Sequence, residues 1–265
     1  MSRDTYTVKP FPSVRRFFVD GMDFGGRKHC IHGLIEIDVT RPRQRLREIK
    51  QATGASPSFT AFIIYCCAQA VDQNRAVHAY RDWRNRLILF DDVDIFVPVE
   101  RTGAGLFSQV LIRAANRKTM QDIHREIRRA QAGGAPTRTA GRFIKIFTAL
   151  PRFLRHLFFG VVYGNPRLLK QYAGTIEVTS VGMFGSGAGW GIAPVGHALS
   201  VTVGGIVARP VLKDGQLENR EHLCVTITFD HDVIDGAPAT RFVQRFKELV
   251  EVGSGLPEEP GRTGP

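Results

Sequence analysis

The stretch from His222 to Glu251 constrains the fold more than any other. In HLCVTITFD (His222 to Asp230), Leu223, Val225, Ile227 and Phe229 alternate with Cys224, Thr226, Thr228 and Asp230, so the strand carries an apolar face that must be covered. Asp235-Gly236 supplies a turn. Pro238 then opens the helix APATRFVQRFKELVE, in which Phe242, Val243, Phe246, Leu249 and Val250 recur at helical spacing. With so short a link, strand and helix pack face to face, and His231 is held just past a well-anchored strand end. Such a mount suits a general base, although position alone does not give a loop histidine a role.

Upstream, Thr40 as N-cap, Pro42 in a first turn and Gly54 as a stop delimit a charged helix over RPRQRLREIK. The next segment, Ser58 to Val71, is apolar nearly all round and therefore buried, with Cys66 and Cys67 as core packing. Strands are expected at Arg86 to Phe90, Val93 to Val99 and Phe107 to Arg113, followed by a helix that Thr119 and Asp122 cap. Further strands surround Ile176 and Val201. This mixture predicts an α/β two-layer sandwich with one mixed sheet. No linker divides the 265 residues, so one domain is expected over residues 1–252, with a disordered Gly/Pro tail over residues 253–265. The cluster GMFGSGAGWG (Gly182 to Gly191) fits neither dinucleotide nor phosphate-loop spacing and reads as a turn with close backbone approach.

A formal net charge of +11 predicts attraction to anions: nucleic acid, a membrane surface or a phosphate-rich cofactor. No zinc-finger spacing, RNA-binding aromatic motif or basic heptad is present, so specific nucleic-acid binding is not expected. His29 and His32 lack partners at metal-ligand spacing, and no metal is assigned. Cys30, Cys66, Cys67 and Cys224 form no C-x-x-C pair or disulfide pattern, and the charged first twenty residues lack a signal-peptide core, so a cytoplasmic location is expected. The apolar run from Phe143 to Tyr163 has the length of a membrane span but is interrupted by Lys145, Arg152, Arg155 and His156. It lies within a segment free of acidic residues between Glu126 and Glu177. Such a basic, aromatic helix can pack on its own domain, cover an anionic ligand or make a peripheral membrane contact.

The string FDHDVIDGAPATRF resembles the H-x-x-x-D-G motif of the dihydrolipoyl acyltransferase components of 2-oxo-acid dehydrogenase complexes, which chloramphenicol acetyltransferases share. GTIEVTSVGMFG, VTVGGIVARPVLKDGQL, FTAFIIYCCAQAV and LILFDDVDIFVPVE resemble other parts of that catalytic core, and VRRFF is similar to the acetyltransferases. The resemblance covers about residues 7–251 except the basic segment from Gly133 to Tyr172, which replaces a short connection. It implies a chloramphenicol acetyltransferase-like fold and acyl transfer between coenzyme A and a dihydrolipoyl-like thiol, with acyl-CoA as a substrate.

In that scheme His231 is the base and its second ring nitrogen is held by its own backbone. Thr179 donates to the oxyanion, with Ser180 as the alternative one residue along. Asp235 pairs with Arg15 or Arg16 to hold the loop, and Gly236 permits the turn. The resemblance further implies a homotrimer with active sites between subunits, His231 of one chain facing the hydroxyl of the next. Acetylation of a small-molecule hydroxyl is the alternative activity, and a non-catalytic scaffold the alternative class. Asp232 stands where the family usually has arginine, and Gly196 and His197 replace a proline pair, which leaves the acceptor open. The chain starts at the catalytic core, so no lipoyl group is expected on it and a lipoyl-carrying partner would supply one. With Leu256 the one apolar side chain after Gly253, the tail is expected to leave a closed trimer rather than a cage.

Overall fold

The computed structural model describes residues 6–54, 56–100, 107–132, 144–182 and 187–257. Parts of the basic segment, the glycine cluster and the tail (133–143, 183–186 and 258–265) lie outside the described residues. In chain order the elements are α1 (Ser13–Gly25), β1 (Cys30–Asp38), α2 (Thr40–Thr53), α3 (Phe59–Gln73), β2 (Tyr80–Arg81), β3 (Leu87–Ile88), β4 (Ile95–Glu100), β5 (Phe107–Ile112) and α4 (Met120–Gln131). After a helical turn over 144–149 come α5 (Arg152–Gly164), α6 (Pro166–Ala173), β6 (Ile176–Ser180), β7 (Leu199–Lys213), β8 (Gln216–Asp230) and α7 (Gly236–Val252).

Six strands form one mixed sheet in the order β1-β8-β7-β6-β4-β5, with β6 parallel to β4 and β7 and the other pairs antiparallel. The alternation expected of β8 sets the layers. Leu223, Val225, Ile227 and Phe229 join Leu199, Val201, Val203, Ile176 and Val178 in a core that α3 and α7 cover through Phe62, Ile63, Phe242 and Phe246. The opposite face carries Thr226 and Thr228 beside Thr202 and Ser200, and then Thr179 and Glu177. Asp214 and Gly215, with φ of 50° and 81°, turn β7 into β8, the left-handed pair that a tight hairpin requires.

Ser58 caps α3, and Thr119 with Asp122 forms a reciprocal capping box on α4. Thr40 is already inside α2 rather than capping it, because its hydroxyl accepts the Glu221 N–H at 2.8 Å and ties the helix start to β8. Of the run from Arg86 to Phe90, Leu87 and Ile88 pair, in a two-stranded ribbon with Tyr80 and Arg81. The tail is folded as far as Pro257: Gly253, at φ 78°, ends α7, Ser254 donates to the Leu249 carbonyl, and Leu256 packs on the core.

His78 is fully buried with Nε2 on the Phe90 carbonyl at 3.1 Å. Burial lowers its pKa from 6.5 to about 4. The unfolded chain takes up this proton near 6.5 and the folded chain near 4, so stability is complete above the first value and falls as pH drops through that window. The loss amounts to roughly 3 kcal/mol. His78→Gln is expected to flatten this part of the pH dependence, measured by urea unfolding at neutral pH and near pH 4; an unchanged slope contradicts a buried neutral imidazole.

Candidate active site

β8 ends in the buried Asp230, whose groups define the following loop. One carboxylate oxygen takes an ion pair from Lys28, and the other accepts the Asp232 N–H at 3.1 Å. The Asp230 carbonyl accepts the N–H groups of Val233 and Ile234, both at 3.1 Å, and Ile234 is buried. His231 itself donates its N–H to the His29 carbonyl at 2.6 Å. Backbone is therefore pinned on both sides of His231 while its ring stays exposed. Among the described residues no hydrogen bond joins that ring to its own backbone, unlike the arrangement the resemblance implies.

Lys28 and His29, the first unmarked in the sequence and the second weighed there only as a metal ligand, both meet this loop. Lys28 stacks over the Tyr80 ring at 5.1 Å, and the Tyr80 hydroxyl donates to the Thr175 carbonyl at 2.8 Å while accepting the Ala198 N–H at 3.1 Å. Burial raises the Tyr80 pKa, so the phenol remains a neutral donor across the starts of β6 and β7. His29 Nδ1 meets Asp232 Oδ1 at 2.8 Å, which gives the departure at Asp232 a partner. Cys30, on the strand end paired with Asp230, has its thiol pushed up by burial and then by the Asp230 carboxylate. It is thus a poor nucleophile at neutral pH.

Thr179 and Ser180 end β6 on opposite faces. Ser180 shares the side of Val178, toward the helix layer, and Thr179 shares the side of Glu177. Beyond them the glycine cluster lies backbone on backbone. A Cβ at Gly182 would fall 1.8 Å from the Gly204 carbonyl oxygen, and one at Gly205 would fall 2.0 Å from that of Gly187. The close approach expected of the cluster is present, at the register shift between Val203 and Ile206. Trp190 closes this loop on the sheet by donating from its indole to the Ile35 carbonyl at 3.1 Å.

Register separates Thr179 from His231 within one chain. Thr179 pairs with Thr202 and Thr202 with Thr226, so His231 lies five residues beyond that row and two strands away. At about 3.3 Å per residue this is roughly 15 Å or more. A single chain does not bring base and hydroxyl together.

The expected pairing of Asp235 with Arg15 or Arg16 is not formed. Asp235 is exposed at the start of α7 without an ion pair among the described residues, Arg15 is exposed, and Arg16 donates to the Thr148 carbonyl at 3.4 Å. The inserted helix α5 holds α1 instead: Arg155 grips the buried Asp20 with bonds of 2.7 and 3.3 Å, while Phe17 and Phe24 pack on Phe159. Asp20, Asp23 and His156 converge as ligands to a metal could, but Arg155 and Arg152 already neutralise both carboxylates. Gly236 has no positive φ, and an added Cβ would meet nothing within 4 Å, so the turn does not require glycine in the isolated chain.

A family model described as 2-oxoacid dehydrogenases acyltransferase (catalytic domain) matches residues 9–139 and 169–256. The lipoamide acyltransferase component of the branched-chain alpha-keto acid dehydrogenase complex of Bacillus subtilis is 27% identical over 224 residues, covering 82% of this chain and 46% of that protein. The chain thus spans about half the length of this curated relative. A probable dihydrolipoamide acetyltransferase from Listeria monocytogenes superposes with a TM-score of 0.72 at 23% identity, over 96% of this chain and 98% of the other. The dihydrolipoamide acetyltransferase of Azotobacter vinelandii superposes with a TM-score of 0.71 at 16% identity, over 96% and 95%. These structures share the fold.

Proposed function

Because the chain belongs to the family of 2-oxoacid dehydrogenase acyltransferase catalytic domains, we propose that it moves an acyl group between coenzyme A and a dihydrolipoyl-type thiol at a site shared by neighbouring copies in a trimer. The carrying observation is the pinned His231 loop, which offers an exposed imidazole on a backbone with little freedom to move. A thiol with a pKa near 8.5 is mostly protonated at neutral pH, and imidazole suits the proton transfer. His231 takes the S–H proton as sulfur attacks the thioester carbonyl, and returns it to the departing thiolate as the tetrahedral intermediate collapses. Thr179 of the neighbouring copy donates its hydroxyl to the oxyanion.

Residue intervals support these roles. The Azotobacter structure concerns a serine, a histidine and an asparagine in the catalytic mechanism of that enzyme. The interval from that serine to that histidine equals the interval from Thr179 to His231, and the asparagine follows its histidine as Asp235 follows His231. Asp235 in this reading orients the His231 loop in the assembled particle. A lipoyl-carrying protein is the natural acceptor, and coenzyme A, through its phosphates, suits a chain of net charge +11.

Complementation tests the shared site. His231→Ala and Thr179→Ala chains, each inactive alone, are co-expressed in equal amounts so that they assemble together. Random assembly gives about one site in four an intact His231 from one chain and an intact Thr179 from the next, so activity is expected to recover to roughly a quarter of wild type. No recovery in particles shown by mass spectrometry to be mixed excludes a site built from two chains.

A further inference from the structure

Residues 140–168 fall between the two stretches that match the family model, and the fold places an amphipathic helix there. The inner face of α5 is buried, Arg155 and Phe159 on α1 and Val162 with Tyr80, Leu169 and Ala198. Its outer face is apolar and, among the described residues, uncovered. Phe153, Leu157 and Val161 stand four residues apart and are 71%, 64% and 55% exposed, with Leu154 beside them. The line extends at both ends. The turn over 144–149 adds exposed Ile146, and Leu150 just after it is also exposed, its carbonyl accepting a hydrogen bond from Arg155. At the other end Trp83, 71% exposed, donates its backbone N–H to the Gly164 carbonyl at 3.2 Å.

Exposed cations bracket this line. Lys145 and Arg16 lie at the first end, Arg167 follows α5, and Arg84 stacks on Trp83 at 4.5 Å. The nearby carboxylates are engaged elsewhere: Asp20 and Asp23 by Arg155, Arg152 and His156, and Asp82 by Arg86. We propose that the outer face of α5, extended by Ile146, Leu150 and Trp83, lies on an anionic lipid surface and holds the acyltransferase core against it.

The chemistry favours lipid over protein. A second copy would bring the same cations against one another, which disfavours self-pairing through this face. An apolar stripe with cations at its ends matches an acyl layer below a row of anionic headgroups, and an indole at the margin matches the interfacial zone. No helix among the described residues is long and apolar enough to cross a membrane, so the contact is peripheral.

Vesicle flotation of the full chain tests this, comparing phosphatidylcholine alone with phosphatidylcholine containing about one-third phosphatidylglycerol. Binding to the anionic vesicles is expected to be roughly tenfold stronger and to weaken with salt. The surface double substitution Phe153→Glu with Leu157→Glu should remove at least roughly tenfold of it. Acyltransferase rate and thermal melting of that variant should match wild type, since both side chains point outward. A blue shift of tryptophan emission on anionic vesicles should disappear in Trp83→Phe. Equal partitioning into both vesicle types, undiminished binding by the double variant, or self-association that the double variant abolishes would each overturn the proposal.

Discussion

Replacing His231 by alanine is expected to lower turnover with acetyl-CoA and dihydrolipoamide on the order of 10²–10⁴-fold, the usual worth of a positioned base. The ring is exposed, and the bonds that hold its loop come from backbone groups and from Asp230, none of which the substitution removes. Thermal melting should therefore stay where it is. The deficit has its own pH signature. As pH rises toward the free thiol value of about 8.5, more acceptor is already thiolate, and the variant should recover part of the difference. Steady-state rates at neutral and alkaline pH, followed by loss of the thioester, check both parts. A variant as fast as wild type at neutral pH removes His231 from the chemistry.

Thr179→Ala comes next in size, with an expected loss on the order of 10²–10³-fold, the effect of removing one oxyanion donor. Thr179→Ser retains the hydroxyl and should be far milder. Ser180→Ala is the internal control, because the strand turns Ser180 toward the helix layer beside Val178 and only Thr179 toward the opposite face of the sheet. The effect should fall on kcat more than on KM, since the oxyanion exists only after attack. If alanine at 180 proves the damaging change, the hydroxyl that serves the site lies one residue along.

The parts legible in the sequence are those with strong local signals. Alternation gave β8, the apolar stripe gave α7, all-round apolarity gave α3, and a capping pair marked α4. α1 and β1 were not legible. Ser13–Gly25 lacks a side-chain cap and takes its stability from aromatic contacts with a helix well over a hundred residues later. In β1 exposed and half-buried residues mix, because it is an edge strand with one neighbour. The site follows the same division. His231 and Thr179 stand on elements that periodicity locates, whereas Lys28 and His29 reach the loop only through the pairing of β1 with β8. Asp235 was expected to hold an arginine of α1, a reading that could not anticipate the inserted α5 taking α1 for itself.

The pairing of β1 with β8 also bears on how the chain comes to be folded. The ladder from Cys30 to Asp38 closes on Asp230 to His222, so β1 finds its partner only after the long intervening chain has emerged. At synthesis rates of roughly 5–20 residues per second that wait is on the order of ten seconds or more, during which β1 carries unpaired backbone groups. Such a high contact order slows the final closure. The same closure seats the His231 N–H on the His29 carbonyl, so the His231 loop is among the last features to be secured. Nascent chains caught short of β8 pairing hold an open sheet edge and an unanchored His231 loop.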